Sequence, residues 1–350
     1  MVAVAVVGAS GYGGAELLRA LIRHPKARVV GLGSRGHAGA PVGRVWPQLA
    51  GAPLPAFAEP EEAARDAEVV FLATPNGVAM ELAPRLLAEG KRVVDLSADF
   101  RLAAERYRRW YGRAHAAPEL LNEAVYGLVE LHRPEIRGKR LVANPGCYVT
   151  AVSLALAPLA AAGWIEEALV AAASGVSGAG RDAEGTAFAE VNEDYRPYKP
   201  AGTHRHTVEI EQNLGRARAQ GRWLSTWGEE APFRVSFTPH LAPMTRGILA
   251  TAYVRLPAEL DAADVGARYA AFYDQEPFVH VSAELPRTKA VLGANRVWIT
   301  PHRDKRTGWW AVFSALDNLV KGAAGQAVQN MNVMLGLEES LGLEPLGLWP

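Results

Sequence analysis

Residues 8–14 read Gly-Ala-Ser-Gly-Tyr-Gly-Gly and follow directly on an apolar run, Val2 to Val7. A helix-like stretch begins next to them, at Ala15. Glycines at every third position of this stretch have the spacing of a turn in which a strand passes into a helix. Glycine lets the backbone approach a pyrophosphate closely, and the helix N-terminus directs N–H groups at it. The stretch therefore predicts a turn that binds the pyrophosphate of a dinucleotide, and the alternative is a tight turn without a ligand.

The first 150 residues alternate between apolar, strand-like runs and helix-like runs. Continuous apolar strands between helices are typical of a parallel sheet covered on both faces. The predicted strands are Val2–Val7, Val29–Leu32, Val69–Ala73, Arg92–Leu96 and Leu141–Ala143, and the predicted helices are Ala15–Arg23, Glu61–Arg65, Val78–Ala88 and Ala151–Ala162. We therefore predict the α/β class for this half.

The second half of the chain contains more strand-like segments than helix-like ones, which predicts a mixed or mostly antiparallel sheet in an α+β domain. The predicted strands are Leu169–Ala173, Arg234–Thr238, Gly247–Leu256, Val279–Ala283, Val297–Thr300 and Trp309–Leu316, followed by a last helix over Leu319–Met334. Residues 215–232 are polar and contain Gly and Arg, so we expect an exposed excursion there.

Composition excludes several classes of protein. The 37 basic residues equal the 37 acidic ones, which argues against a nucleic-acid partner. No apolar run approaches the roughly 20 residues that span a bilayer, and no basic region precedes the apolar N-terminus as in a secretory signal. The single cysteine fits a reducing compartment. We expect a cytoplasmic protein without a membrane partner.

The end of the second predicted strand indicates which dinucleotide binds. An NAD enzyme usually has Asp or Glu there for the ribose hydroxyls, whereas this chain has Ser34 and Arg35, which suit a 2′-phosphate unless Arg35 is an ordinary loop arginine. We therefore predict NADP. The expected cofactor-binding residues are Gly8, Ser10, Gly11, Tyr12, Gly13, Ser34, Arg35, Thr74, Pro75, Ser97, Gly178 and Asn318.

The only cysteine, Cys147, follows Asn144-Pro145-Gly146 at a predicted strand-to-helix turn. A thiol at a helix N-terminus ionises more readily, and thiolates attack acyl carbons to form thioesters, which accept hydride. The alternative is an inert buried cysteine. The position favours a catalytic nucleophile.

Two of the nine histidines, His204 and His206, lie within three residues of one another, ahead of a predicted helix. Histidine can take and return a proton near neutral pH. Thr207 is a plausible N-cap, and Glu209 in the first turn could orient a histidine. The residues alone leave the choice between the two histidines open.

Two arginines are candidates for an anionic substrate group. Arg101 follows the strand that ends near Leu96, and Arg181 ends a loop rich in small residues, Ser174 to Gly180. Each has an alternative interpretation, as a surface arginine and as part of a flexible loop respectively.

Taken in order, these motifs resemble N-acetyl-γ-glutamyl-phosphate reductases, the arginine-biosynthesis relatives of aspartate-semialdehyde dehydrogenase. The resemblance extends from the first strand to the last helix. The matching motifs are residues 8–14, Asp95–Arg101, Asn144–Tyr148, Ser174–Arg181, His204–Thr207 and Asp317–Gly322.

The resemblance implies an NADP-binding Rossmann domain over residues 1–147, completed by 318–350. It also implies a second domain over 148–317, like that of glyceraldehyde-3-phosphate dehydrogenase, and a homo-oligomer, dimer or tetramer. It implies reduction of the acyl phosphate to a semialdehyde through a thioester on Cys147, with His206 as acid and base and with no metal. The implied substrate-binding residues are Arg101, Asn144, Ser177, Arg181, Lys199, His204 and Glu209.

The chain departs from the family pattern at Val149 and Val208, where proline is frequent; both changes affect local stiffness rather than chemistry. An alternative is the lysine-biosynthesis reductase of a carrier-linked aminoadipyl phosphate, which differs in the cysteine motif and in the Ser174–Arg181 loop. An aspartate-semialdehyde dehydrogenase and a non-catalytic NADPH-binding regulator are further alternatives.

Overall fold

The computed structural model describes residues 1–181, 183–219 and 233–349. The chain forms two compact units: Met1–Pro145 with Ala323–Glu344, and Gly146–Gly322 with Pro345–Pro350. The expected boundaries differ from these by a few residues. Cys147 falls in the second unit because it opens a helix of that unit, and the C-terminal segment joins it where the N–H of Leu348 donates to the oxygen of Leu292.

The first unit contains one parallel sheet of seven strands, in the order β3-β2-β1-β4-β5-β7-β6, and all of its residues are described. The strands are β1 (Val2–Val7), β2 (Ala27–Gly33), β3 (Phe57–Ala58), β4 (Val69–Leu72), β5 (Arg92–Asp95), β6 (Val125–Tyr126) and β7 (Leu141–Ala143). The helices are α1 (Tyr12–Ile22), α2 (Val42–Val45), α3 (Pro60–Ala64), α4 (Ala79–Ala88), α5 (Ala104–Tyr111) and α6 (Val129–Ile136).

The central strands of this sheet form because they are apolar on both faces. Residues 4–7 of β1 and all of β4 are almost completely buried. The amphipathic helix α1 buries Leu17, Leu18 and Leu21 in the same core. Burying apolar area in this way is the main stabilising term of such a layer.

The second unit contains a mixed sheet in the order β12-β13-β14-β11-β8-β10-β9. Its strands are β8 (Glu167–Gly175), β9 (Arg196–Pro197), β10 (Arg234–Ala242), β11 (Ile248–Val254), β12 (Val279–Val281), β13 (Val297–Arg303) and β14 (Trp310–Leu316). Its helices are α7 (Cys147–Ala161), α8 (Phe188–Val191), α9 (His206–Arg218) and α10 (Ala262–Phe272). The two units confirm the predicted fold class, a Rossmann-type parallel sheet with a second α+β domain.

Helix α7 packs against one face of the second sheet and is buried from Tyr148 to Ala160. The hydroxyl of Ser314 in β14 donates to the oxygen of Ala151, and the hydroxyl of Tyr269 in α10 donates to that of Ala155. The prediction that α7 begins at Ala151 was wrong. Residues 147–150 are helical too, and the hydroxyl of Thr150 donates to the oxygen of Gly146 one turn back.

Helix α9 also differs from the prediction. It begins at His206 with Arg205 as N-cap, so Thr207 is its second residue rather than the cap. Residues 215–218 of the expected excursion form the last turn of α9, and residues 220–232 lie outside the described residues.

The last helix, α11 (Gly325–Met334), is preceded by a π-helical turn over Val320–Ala324. It is buried along its length within the first unit, where the amides of Gln326 and Asn330 both donate to the oxygen of Gly127. Across the described part of the chain, no helix is both long enough and apolar enough to cross a membrane.

Candidate active site

The glycine-rich turn joins β1 to α1 as predicted. Gly8 has φ +86°, and a Cβ there would lie 2.2 Å from the oxygen of Ala73, so only glycine fits. The space around the Cβ position of Gly13 is open to 4 Å. The N-cap of α1 is Gly11, which has no side chain to accept from the first N–H groups of the helix. N–H groups at such a helix start suit a pyrophosphate.

Ser10 and Ser34 lie together at this turn, with their hydroxyl oxygens 2.9 Å apart. The N–H of Ser34 donates to the oxygen of Ala58, which fixes the end of β2. The next residue, Arg35, is exposed. A hydroxyl pair beside an exposed guanidinium suits a phosphate group on the ribose of a dinucleotide.

The remaining predicted cofactor residues of this unit follow β4 and β5, which are neighbours in the sheet. Thr74 and Pro75 come directly after Ala73, the residue that packs against Gly8. Ser97 follows β5 and is buried. The sheet therefore brings these residues to the same carboxyl edge as the glycine-rich turn, which is where ligands bind in open parallel sheets.

A buried polar cluster supports this edge. The N–H and hydroxyl of Ser97 donate to the two carboxyl oxygens of Asp95, and the same hydroxyl accepts from the N–H of Asp99. Burial, and then the neighbouring Asp99, raise the pKa of Asp95 to about 7. Arg101, the predicted substrate ligand, is buried and donates through Nη2 to the oxygen of Leu96 at 2.7 Å.

Asn144 lies in the loop after β7 and is buried. Its amide nitrogen donates to the oxygen of Ala323, and its amide oxygen accepts from Asn330 at 2.9 Å. Its backbone N–H donates to the oxygen of Asp95. Both ends of the side chain thus hold the turn before the cysteine, while its contact with substrate remains a prediction.

In the second unit, Cys147 is the first residue of the 15-residue helix α7, with Gly146 as N-cap, and it is partly exposed. The positive end of the helix dipole favours a thiolate at this position. Gly322 approaches the cysteine so closely that a Cβ on it would lie 2.8 Å from the Cβ of Cys147. The thiol therefore stands at the end of a rigid buried helix, in a space that a glycine keeps open.

His206 lies against the residue before the cysteine. A Cβ on Gly146 would lie 2.4 Å from Nε2 of His206, which is the closest ring atom. His206 is also the first residue of α9. The imidazole at the start of α9 thus lies against the residue that precedes the thiol at the start of α7, an arrangement that suits a nucleophile and its base.

His204 lies in a cluster of rings. Its ring centroid is 4.7 Å from that of His206 and 5.5–5.8 Å from those of Tyr148, Tyr198 and Phe237. Burial, followed by the charges of His206 and Lys199, lowers the pKa of His204 to about 2. His204 is therefore neutral near pH 7 and is a poor candidate for the group that exchanges protons.

The other predicted substrate residues of this unit lie at different depths. Glu209 is fully buried in the first turn of α9. Its negative charge favours protonation of His204, but burial and the charges of His206 and Lys199 have larger effects and lower the pKa. Lys199 is exposed and has φ +42°. Arg181 is exposed at the end of its loop, next to residue 182, which lies outside the described residues.

Asn318 lies beside Ser177 and Gly178, although 141 positions separate it from Ser177 in the sequence. The amide nitrogen of Asn318 donates to the hydroxyl of Ser177 at 3.0 Å, and it would lie 3.6 Å from a Cβ on Gly178. The amide oxygen of Asn318 accepts from the N–H of Gly247. This arrangement fixes the orientation of the amide.

The structure also shows residues that the sequence did not single out. The hydroxyl of Tyr198 donates to that of Tyr148, which in turn donates to the oxygen of His240. Burial raises the pKa of Tyr148, and it raises that of Tyr198 to about 12, so both phenols stay protonated beside the thiol. Arg246 lies 3.6 Å from the buried carboxylate of Asp317. In the sequence, the position of Tyr148 directly after Cys147 was the indication that it lies in the site.

Known proteins resemble this chain along its whole length. Residues 3–139 match the model of the semialdehyde dehydrogenase NAD binding domain, and residues 147–318 match that of the semialdehyde dehydrogenase dimerisation domain. An N-acetyl-gamma-glutamyl-phosphate reductase of Thermus thermophilus is 60% identical over 99% of both chains. One of Symbiobacterium thermophilum is 50% identical over 97% of both.

Solved structures agree at the level of the fold. Aspartate semialdehyde dehydrogenase II of Vibrio cholerae superposes with a TM-score of 0.70 at 17% identity, over 95% of this chain and 98% of that one. An aspartate semialdehyde dehydrogenase with NADP from Candida albicans gives 0.69 at 17% identity, over the same shares. The sequence comparisons confirm the predicted family and enzyme class: this chain belongs to the N-acetyl-gamma-glutamyl-phosphate reductases, a branch of the semialdehyde dehydrogenases.

Proposed function

We propose that this protein reduces N-acetyl-γ-glutamyl phosphate to N-acetylglutamate semialdehyde, with NADPH as reductant and Cys147 as nucleophile. The observation that carries the proposal is the meeting of two helix N-termini: Cys147 opens α7, and Nε2 of His206 lies against Gly146, the preceding residue. The relatives bear the name of this reaction. The first unit fits NADP because it combines the open glycine-rich turn with Ser10, Ser34 and Arg35.

The thiolate of Cys147 attacks the γ-carbonyl carbon, and the bond to the phosphate oxygen breaks, which leaves a thioester and inorganic phosphate. When bound, NADPH supplies a hydride to the thioester carbon. His206 takes the thiol proton before the attack and gives it to the developing oxyanion after reduction. Collapse of the thiohemiacetal then breaks the C–S bond, releases the aldehyde and restores the thiol.

The substrate-binding set remains part of the proposal. Arg101, Arg181 and Lys199 supply positive charge for the phosphate and carboxylate groups, and Asn144, Ser177 and Glu209 supply hydrogen-bonding groups. Arginine suits such anions because its planar fork makes paired hydrogen bonds. The resemblance also implied His204 in this set, but we assign it a different role below. Near the nicotinamide we propose Gly178 and Asn318, because the Asn318 amide is already held in one orientation by Ser177 and Gly247.

The test is the reverse reaction: phosphate-dependent reduction of NADP by N-acetylglutamate semialdehyde, followed by absorbance at the wavelength of NADPH. We expect Cys147→Ser to abolish turnover and to leave NADPH binding, measured by fluorescence titration, within about twofold of wild type, because the cofactor contacts lie on other residues. Retained turnover in Cys147→Ser would exclude the covalent route.

The same assay distinguishes the carrier-linked alternative. The forward reaction is run in parallel with N-acetyl-γ-glutamyl phosphate and with aminoadipyl phosphate on its carrier protein. We expect kcat/KM to favour the free acetylated substrate. Preference for the carrier-linked substrate would assign the chain to lysine biosynthesis instead.

We also propose a homo-oligomer, dimer or tetramer, that forms through the outer face of the second sheet. Register places the apolar residues of β8, β11 and β14 in adjacent rows on this face. Two of them are strongly exposed in the single chain, Leu169 at 53% and Tyr253 at 45%. Exposed apolar surface of this kind marks an interface. The region lies in the part of the chain that matches the dimerisation-domain model.

Light scattering after size exclusion tests the oligomer. We expect the double variant Leu169→Glu, Tyr253→Glu to elute as a monomer, because two carboxylates per chain would have to be buried in the interface. Phe188→Glu, at a residue 79% exposed outside this sheet, is the matched control. An oligomer that survives the double substitution would rule out this face. A cytoplasmic location is proposed too, since a reducing compartment keeps the lone Cys147 a free thiol.

A further inference from the structure

The turn before α9 contains an unusual helix cap. The backbone N–H of His206 donates to Nδ1 of the His204 ring at 3.1 Å, and the N–H of Thr207 donates to the backbone oxygen of His204. The formal N-cap, Arg205, makes no capping hydrogen bond through its side chain. His204 therefore satisfies the first two N–H groups of α9, which a helix leaves without partners of its own.

The hydrogen bond specifies the tautomer of His204. A ring nitrogen that accepts a hydrogen bond carries no proton, so the proton of the neutral ring is on Nε2. The ring cannot turn freely, because it meets the rings of Tyr148, Tyr198 and Phe237 edge to face, at interplanar angles of 75–84°. Charge on His204 is opposed by burial, by His206, by Lys199 and by Arg205, whereas Glu209 acts in the other direction. The cap is thus built for one neutral tautomer.

The preceding loop is also arranged to present this ring. Lys199 and Ala201 adopt φ of +42° and +52°, which costs energy in residues other than glycine. The hydroxyl of Thr203 donates to the oxygen of Pro200, and the N–H of Ala201 donates to the hydroxyl of Thr238 in β10. The chain holds strained backbone directly before His204, which is typical of segments that position functional groups.

We propose that His204 is a positioning residue, whose Nδ1 caps α9 and thereby holds His206 with its Nε2 against Gly146, beside the nucleophile. The inference rests on the proposed function, in which His206 exchanges protons with Cys147. His204 itself exchanges none. His204 contributes by fixing the direction in which the ring of His206, the first residue of α9, points.

The two amide analogues of histidine test this assignment. The side-chain oxygen of Asn reaches the place of Nδ1, whereas the amide of Gln reaches that of Nε2. We therefore expect His204→Asn to keep the cap and His204→Gln to lose it. A substrate contact through Nε2–H would give the opposite order, with His204→Gln the better variant.

The readout is the rate of iodoacetamide alkylation of the substrate-free protein between pH 5 and 9. Cys147 is the only cysteine, so alkylation of the whole chain reports on this thiol alone. We expect His204→Asn to keep the wild-type profile, with turnover within about threefold, since an Asn side chain readily accepts from the backbone N–H two residues on. His204→Gln and His204→Ala should shift the profile to higher pH and lose between about 10- and 100-fold in kcat, as expected for a misplaced base.

A measurement on the wild-type protein does not depend on how the variants fold. With 15N-labelled histidine, the spectrum of His204, assigned by its loss in His204→Asn, should show the Nε2–H tautomer unchanged from pH 5 to 9. Any of five results would overturn the proposal. In the spectrum, these are an Nδ1–H tautomer or a titration near neutral pH. Among the variants, they are His204→Gln more active than His204→Asn, equal behaviour of all three variants, or an unfolded His204→Asn.

His206→Asn, measured in parallel, separates this inference from the function on which it rests. If His206→Asn keeps full turnover, the assignment of His206 as acid and base fails, whatever His204 does. If His206→Asn is inactive and the tautomer or the Asn and Gln comparison disagrees with expectation, only the role of His204 fails.

Discussion

Gly146→Ala is the substitution that tests most directly whether His206 acts at Cys147. Gly146 has φ −71° and ψ 147°, a conformation open to every residue, so alanine introduces no backbone strain. The new methyl carbon would lie 2.4 Å from Nε2 of His206, 2.7 Å from Cε1 and 2.9 Å from Cδ2. Ordinary contacts begin at 3.4 Å, so the imidazole must retreat by about 1 Å.

A displacement of about 1 Å at a catalytic group costs about 100-fold in rate, or about 2.7 kcal/mol of transition-state stabilisation. We therefore expect Gly146→Ala to lower kcat/KM about 100-fold in the phosphate-dependent reverse assay, with NADPH binding unchanged. The matched control is Gly266→Ala in α10, where a Cβ meets nothing within 4 Å. It should keep full activity and gain slightly in stability, as alanine does in helices.

A double-mutant cycle identifies the imidazole as the cause. In a His206→Ala background the new methyl group has no ring to displace, so Gly146→Ala should cause little further loss. Two results would refute the reasoning. One is wild-type turnover in Gly146→Ala, and the other is an equal loss of kcat/KM, about 100-fold, with and without His206. Thermal melts of all four proteins would show whether any loss of activity reflects loss of folded protein.

Two further predictions concern the first unit. Arg35→Gln should lower the preference for NADPH over NADH by about 10- to 100-fold, because a charge-assisted contact with the 2′-phosphate is lost. Arg28→Gln, at an exposed arginine within β2, is the control, and equal loss with both cofactors would contradict the assignment. Asp95 binds a proton more tightly in the folded state, because its pKa there is raised to about 7. Its contribution to the free energy of unfolding therefore falls as the pH rises from about 4 to about 7, and the fall is at most about 1.4 kcal/mol per pH unit. Urea unfolding at pH 5–8 should therefore show the stability of wild type falling relative to Asp95→Asn up to pH 7 and then levelling, whereas a pH-independent difference would exclude Asp95 as the titrating group.

The parts of the fold that could be predicted are those in which neighbouring residues share one environment. Strands β1 and β4 are buried on both faces, and they read as unbroken apolar runs in the sequence. Helix α5 was missed because it is strongly polar and buries a single side chain, that of Tyr107. The two-residue strand β3 was missed because its pairing is decided by β2, not by its own residues.

The candidate site divides in the same way. The position of Cys147 at a helix start was predictable, since the turn residues before it lie next to it in sequence. The choice between His204 and His206 was not, because it depends on which ring nitrogen faces Gly146 and which accepts from a backbone N–H. Those facts depend on the tertiary structure around the loop before α9, where the N–H of Ala201 donates to the hydroxyl of Thr238 in β10.

The site is specified by missing side chains as much as by those that are present. Gly146 leaves room for the ring of His206, and Gly322 leaves room for Cβ of Cys147. Neither glycine adopts a positive φ, so conformational freedom does not explain why it is there. A sequence shows that a glycine is present but not which atom occupies the space that it leaves. For this reason substitutions to alanine at these two positions, which add one carbon and require no positive φ, measure the geometry of the thiol and the imidazole more directly than removal of either group.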